Sequence, residues 1–219
     1  HEKAHVIMDE CNAPELYSGG ARLIGLPGEH GKFAAGTLAT ALKQALRGVH
    51  HAKPAAVSLT QLTESGTAYS VDEVTAIGAL CRQEGLALHM DGSRLGNAIA
   101  GLGCSPAEIT WKAGVDLLSF GATKNGAMAA EAIVLFRKDA ALAEALEYRR
   151  KRAGHLFSKM RFLSVQLEAY IEGGRWLKNA PIRKAQARPP PSSPPRQRTC
   201  SHERLLPARR RGHPLHARP

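Results

Sequence analysis

Aromatic residues are scarce in this chain: Phe, Trp and Tyr make up 5% of its 219 residues, although 43% are hydrophobic. A core is affordable, but it must be built from Ala, Leu, Val and Ile rather than from stacked rings. Cysteine is also sparse. Cys11, Cys81, Cys104 and Cys200 form no C-x-x-C pair, and their spacing points to no metal site. They read as reduced thiols of a cytoplasmic protein. No apolar run reaches the roughly 18 residues that a membrane span needs, and nothing reads as a signal peptide, so no membrane is expected as a partner. The chain opens on His1, inside patterned sequence, so a further segment is expected ahead of it.

Acidic residues are nearly missing from one region only. Residues 181–219 hold ten Lys/Arg against one acid, Glu203, and so carry +9 of the formal +11. The remaining residues balance 20 basic against 18 acidic side chains. The body is therefore near neutral, and the basic pI belongs to the tail. That tail holds nine of the 13 prolines and no apolar period; such a composition buries too little surface to fold by itself. It reads as a disordered basic tail or as sequence out of frame after about residue 180. A tail of this kind is one basis for a reading as an inactive fragment that binds acidic partners, with a steep salt dependence. No aromatics accompany its arginines, so nucleic acid is not expected.

What is present is an alternation of strands and helices. Arg22-Leu-Ile-Gly-Leu reads as a short strand. Gly36 to Arg47 reads as a helix with Leu38, Leu42 and Leu46 on one face. Ala55-Ala-Val-Ser-Leu follows Pro54 as a buried strand. Ser70 and Glu73 form a capping box, opening a helix to about Glu84. Leu86-Ala-Leu-His-Met is a strand ending at Asp91-Gly92. Ser105 and Pro106 open a further helix. Val115 to Phe120 and Ala132 to Phe136 are strands, and helices follow at about Asp139–Arg150 and Ser158–Ile171. This order predicts an α/β fold with a mostly parallel sheet flanked by helices. In such sheets ligands sit at the carboxyl ends of the strands. The expected organisation is residues 1–155 as one partial large domain, 156–180 as the start of a smaller one, and 181–219 as the tail.

Two segments carry chemistry: His89-Met-Asp-Gly-Ser-Arg-Leu-Gly-Asn-Ala and Ser119-Phe-Gly-Ala-Thr-Lys-Asn-Gly-Ala-Met. Each alone is unremarkable, a strand end with turn formers or a lysine among small residues. Together they place a carboxylate, Asp91, and an amine, Lys124, after two strands of one parallel sheet. Pyridoxal-5′-phosphate (PLP) chemistry needs that pair: a lysine amine to hold the cofactor, and a carboxylate to keep its pyridine nitrogen protonated. His89, on a strand, reads as a satisfied core histidine, and Glu10 as a possible structural ion-pair partner.

These segments, with His1-Glu-Lys-Ala-His-Val-Ile-Met-Asp-Glu-Cys-Asn-Ala-Pro-Glu, Ser18-Gly-Gly-Ala-Arg-Leu and Ser58-Leu-Thr-Gln-Leu-Thr-Glu-Ser-Gly-Thr-Ala-Tyr, resemble the threonine aldolase/β-eliminating lyase family of fold-type I PLP enzymes. The resemblance covers about residues 1 to 180. It implies Lys124 as the Schiff-base lysine and Asp91 as the partner of the pyridine nitrogen. It implies His5 as the ring that stacks on the cofactor and helps manage the substrate hydroxyl proton, and Thr123 as a phosphate donor. Arg94 is implied as the ligand of the substrate carboxylate, with Thr63 and Glu64 on a loop near the substrate. The implied activity is cleavage of β-hydroxy-α-amino acids, threonine or allo-threonine among them, to glycine and an aldehyde. β-Elimination or racemisation is the alternative within the same chemistry. A small amino-acid substrate and a homo-oligomer, dimer or tetramer, are implied as partners. The family also has phosphate-binding residues ahead of the segment seen here and a second carboxylate-binding arginine in a smaller C-terminal domain.

Overall fold

Pro54 lacks a backbone N–H and ends the preceding loop; the aliphatic run after it forms β1 (Ala56–Thr60). β2 (Ala87–Gly92), β3 (Leu117–Gly121) and β4 (Glu131–Leu135) complete a sheet in the order β1-β2-β3-β4. The computed structural model describes residues 1–45 and 48–180. β1, β2 and β3 are mutually parallel, with Ser58 paired to His89 and Asp91 to Ser119. β4 runs antiparallel to β3, with Gly121 opposite Glu131. The connection over residues 122–130 explains the reversal: it is too short for a parallel crossover, which takes about a dozen residues or more. A reversed β4 brings its first residue to the carboxyl edge of its neighbours.

The sheet has two unlike faces. Val57, Leu59, Leu88, Met90, Leu118 and Phe120 are buried and alternate along their strands. Side chains alternate between faces, so Ser58, His89, Asp91 and Ser119 lie on the other one. The apolar face is covered first by α4 (Val71–Gln83), which places Val74, Ile77 and Cys81 in the core at helical spacing. The capping box forms: Ser70 Oγ accepts the Glu73 N–H at 3.1 Å, and Glu73 accepts the Ser70 N–H at 2.7 Å. α3 (Ala35–Ala45) buries Leu38 and Leu42. Ser105 caps the single turn α6 (Pro106–Ile109), again with a capping box. α7 (Ala140–Arg152) is capped by Asp139. α8 (Arg161–Ile171) and α9 (Arg175–Asn179) bring Tyr170 and Trp176 against Phe120, at ring separations of 5.9 and 5.4 Å. No described helix is long and apolar enough to cross a membrane.

Three expectations change. Residues 22–26 form no strand. Their extended backbone has no ladder neighbour, and Leu26 instead accepts the Glu2 N–H at 3.0 Å, while Ile24 is left exposed. The helix expected from Ser158 begins at Arg161. Short helices absent from the sequence reading also occur: α1 (His5–Met8), α2 (Ala13–Ser18) and α5 (Leu95–Leu102), besides α9. Neither α1 nor α2 nor α5 has a side-chain cap, so that start signal is missing, and only α2 carries another, Pro14 in its first turn. The expectations for Leu46 and for residues 181–219 lie outside the described residues.

Candidate active site

A cavity of about 450 Å³ opens at the carboxyl edge of the sheet, on its polar face, beneath α1 and α2. Its lining includes His89, Asp91, Ser93, Ser119 and Lys124 from the sheet side, His5 and Tyr17 from the two helices, and Glu10 from the link between them. The two residues singled out for cofactor chemistry, Asp91 and Lys124, therefore share one cavity, and His5 stands on its rim.

Lys124 sits in a 3₁₀ turn, Thr123–Asn125, directly after β3. The turn is fixed on both sides of the lysine. Thr123 Oγ1 accepts the Ala130 N–H at 3.1 Å. The Asn125 side-chain amide donates to Tyr170 Oη and to the Trp176 carbonyl, each at 2.7 Å. Asn179 donates to the Asn125 carbonyl at 3.2 Å. Only the lysine side chain is left to project, with Nζ 3.5 Å from Ser93 Oγ. Gly121 makes the close approach possible: a Cβ there would lie 2.7 Å from Ser93 Cα and 2.8 Å from Glu131 Oε2.

Asp91 is half-buried at the end of β2. Its carbonyl accepts the Gln61 N–H at 2.8 Å, and its Oδ1 accepts the Ser93 N–H at 3.0 Å. The carboxylate is thus held by its own turn. His5 Nδ1 lies 3.1 Å from Asp9 Oδ2 and its Nε2 2.9 Å from Glu10 Oε1. Glu10 is thus a partner of the His5 ring, as its sequence context allowed, and Asp9 is a second one; each contact is an ion pair when the imidazole is protonated. The imidazole is 37% exposed, so this pairing orients the ring more than it stabilises the fold.

The remaining expected residues stand elsewhere. Arg94 forms the N-terminal cap position of α5, where its carbonyl accepts from Asn97 and Ala98, and it does not line the cavity. Thr63 is 1% exposed, with Oγ1 2.7 Å from Thr67 Oγ1, so its hydroxyl serves its own loop. Glu64, its neighbour, is exposed. The Thr123 hydroxyl is engaged with Ala130.

Other cavity residues are given no role in cofactor chemistry by the sequence. His89 Nδ1 lies 2.9 Å from Ser58 Oγ, and its Nε2 lies 3.0 Å from Ser119 Oγ. This satisfied histidine spans three strands. Burial pushes it below its ordinary value of 6.5, and the charge of Asp91 pulls the other way. Glu131 enters the cavity because β4 is antiparallel. One signal in the sequence points to the polar face beneath the site: β1, β2 and β3 each place polar residues, Ser58, His89, Asp91 and Ser119, in alternation with buried ones.

A family model described as beta-eliminating lyase matches residues 1–192. The chain belongs to the beta-eliminating lyase family. It is 50% identical over 180 residues to the low specificity L-threonine aldolase of a Pseudomonas species, and 51% identical to that of Pseudomonas aeruginosa. In both cases 82% of this chain and 51% of the relative are covered. The chain therefore spans about half the length of these curated relatives. Among solved structures it is similar to a threonine aldolase of Leishmania major, with a TM-score of 0.74, 28% identity, and coverage of 82% of this chain and 51% of the other. As a member of this beta-eliminating lyase family, the chain has the α/β fold of the fold-type I enzymes, with its sheet mostly parallel.

Proposed function

We propose that this chain carries the lysine-bearing part of the active site of a PLP-dependent aldolase, one that cleaves β-hydroxy-α-amino acids of the threonine or allo-threonine type to glycine and an aldehyde. The observation that carries the reading is the meeting of Lys124 and Asp91 in one cavity at the carboxyl edge of a parallel sheet. Names of the relatives point the same way.

The donor set fits the cofactor. Asp91 offers a half-buried carboxylate whose Oδ1 is already fixed by Ser93, Lys124 offers an amine on an anchored turn, and His5 offers a flat ring across the cavity. PLP, when bound, supplies an electron sink for the breaking Cα–Cβ bond. Lys124 would hold it, and Asp91 would keep a proton at its pyridine nitrogen, since an opposite charge at contact shifts a pKa by about 1–3 units. His5 would stack on the cofactor ring, and it is proposed to take the substrate hydroxyl proton at a ring nitrogen once that nitrogen is released from Asp9 or Glu10. Arg94, three residues beyond Asp91, is proposed for the substrate carboxylate, for which its planar fork is suited. Thr123 contributes by holding the lysine turn, and its hydroxyl is proposed to donate to the phosphate by turning its proton away from the Ala130 carbonyl, 3.5 Å distant. Thr63 supports its loop, and exposed Glu64 is the residue there that would face substrate.

We further assign residues 1–155 to the cofactor-binding domain and 156–180 to the start of a smaller one. The whole protein is proposed to be a cytoplasmic homo-oligomer acting on a small amino acid. The family description favours one alternative, β-elimination; ammonia and a keto acid as products would support it over glycine and an aldehyde.

The test is chemical. PLP is added to the purified chain, the mixture is reduced with borohydride, and the labelled peptide is mapped by mass spectrometry. A single phosphopyridoxyl group on Lys124, lost in Lys124→Ala and weakened in Asp91→Ala, is the expected result. Label scattered over surface lysines would overturn the assignment.

A further inference from the structure

The Ser58–His89–Ser119 chain of hydrogen bonds has no part in the roles above, yet two of its members, His89 and Ser119, line the cavity. Each nitrogen of the His89 ring is engaged by a hydroxyl, at 2.9 and 3.0 Å, one from each neighbouring strand. The register fixes both partners: Ser58 is paired directly with His89 across β1 and β2, and Ser119 is paired with Asp91 across β2 and β3. Asp91 lies two residues further along β2, on the same face. Neither ring nitrogen is thus turned to Asp91, although the two side chains share the cavity.

We propose that His89 is a positioning residue: pinned by Ser58 and Ser119, it keeps an uncharged ring beside Asp91 and so leaves the carboxylate's negative charge for a cationic ring nitrogen of the ligand. This rests on the reading that Asp91 faces the cofactor's pyridine nitrogen. The alternative arrangement is costly for binding. A protonated His89 would be an internal cation next to Asp91, and it would compete with the ligand for the same carboxylate. Burial acts against that state by pushing His89 below its ordinary value, with Asp91 opposing. A hydroxyl suits this task because it donates to one ring nitrogen or accepts from the other in either tautomer. A carboxylate in place of Ser58 or Ser119 would instead draw a proton onto the ring. The other titratable groups on the cavity are His5, Glu10, Tyr17, Lys124 and Glu131, and none of them bonds to His89. Their titration is common to the wild type and to a variant at His89, so a comparison between the two isolates the histidine.

The experiment has two readouts on the full chain. The first is an NMR titration of the His89 ring without cofactor. The second is PLP affinity by fluorescence quenching between about pH 5 and 8, the window in which histidine charge changes. In the wild type, His89 is expected to titrate below 6.5, and below that point competition adds up to about a tenfold loss of affinity per pH unit. In His89→Asn, which has no proton to take up, that part of the acid loss is expected to vanish. In Ser119→Ala, which frees one ring nitrogen, the His89 titration and the acid loss are both expected to move to higher pH. His89 titrating at or above its ordinary value in the wild type would overturn the proposal, as would an unchanged acid limb in His89→Asn. Borohydride trapping separates the two readings. If Lys124 is labelled and the acid limb does not respond to His89, only the positioning role falls. If Lys124 is not labelled, the cofactor reading falls, and the NMR titration with Ser119→Ala still decides whether the serines hold the ring uncharged.

Discussion

At the scale of single residues, the site is made by small commitments of polar groups. Gln61 is fully buried, and its side-chain amide brackets Tyr69, donating to the Tyr69 carbonyl at 2.7 Å and accepting the Tyr69 N–H at 2.9 Å. This closes the loop that holds Thr63 and Glu64. Tyr69 in turn accepts the Phe33 N–H at 2.9 Å and meets the Phe33 ring edge-on at 6.0 Å. Burial pushes the Tyr69 phenol up from 10.0 to about 12, although the Phe33 N–H pulls it down. Its contribution to stability is therefore complete below pH 10.0 and is lost as pH rises towards 12, because the unfolded phenol ionises first. Tyr69→Phe leaves the Phe33 N–H without its acceptor, and the expected loss is about 1–3 kcal/mol at neutral pH. The alkaline loss should flatten in the same variant. Urea unfolding at neutral and alkaline pH checks both; equal stability at neutral pH would remove the hydrogen bond from the account.

At the scale of elements, α4 offers the cleanest test of local coding. The box of Ser70 and Glu73 was legible because it depends on residues three positions apart. Ser70→Ala is expected to cost about 1 kcal/mol in urea unfolding. Glu73 has a tertiary partner that the local pattern does not reveal: Lys32 Nζ lies 2.8 Å from its carboxylate. Burial alone would raise the Glu73 carboxyl, but Lys32 and the Ser70 N–H outweigh it and hold it below 4.5. With the folded value depressed, this stability is present above pH 4.5 and is lost as pH falls through the lower folded value. Glu73→Gln should flatten that acid loss; a stability profile below pH 4.5 identical to wild type would exclude the contribution. The same contrast explains α1 and α2. They are short, carry no side-chain cap and gain definition from their place over the sheet, so local sequence holds little trace of them.

At the scale of the whole molecule, the described residues leave several large apolar side chains uncovered on and around α8. Phe162 and Val165, three residues apart on α8, are 63% and 53% exposed, and Phe157 and Ile171 nearby are also exposed. Exposed apolar groups at helical spacing mark a contact surface. The chain is therefore expected to sediment with a concentration-dependent mass, and the double variant Phe162→Lys, Val165→Lys is expected to shift it towards the monomer. A monomer at all concentrations in the wild type would contradict this.

The sequence by itself determined most of the alternation of elements, the apolar face of the sheet and the placement of Asp91 and Lys124 at strand ends, Asp91 within the last pleat of β2 and Lys124 just past β3, since each depends on periodicity or on near neighbours. The family resemblance rested on those same segments, and the family match agrees with it. Only the tertiary structure decided which polar groups meet. The antiparallel turn of β4 brings Glu131 to the cavity, the register sets Ser58 and Ser119 on either side of His89, and the loop closed by Gln61 turns Thr63 inward. These are contacts between residues far apart in the chain, fixed by strand pairing and by the requirement that buried polar groups find partners. No local pattern encodes them.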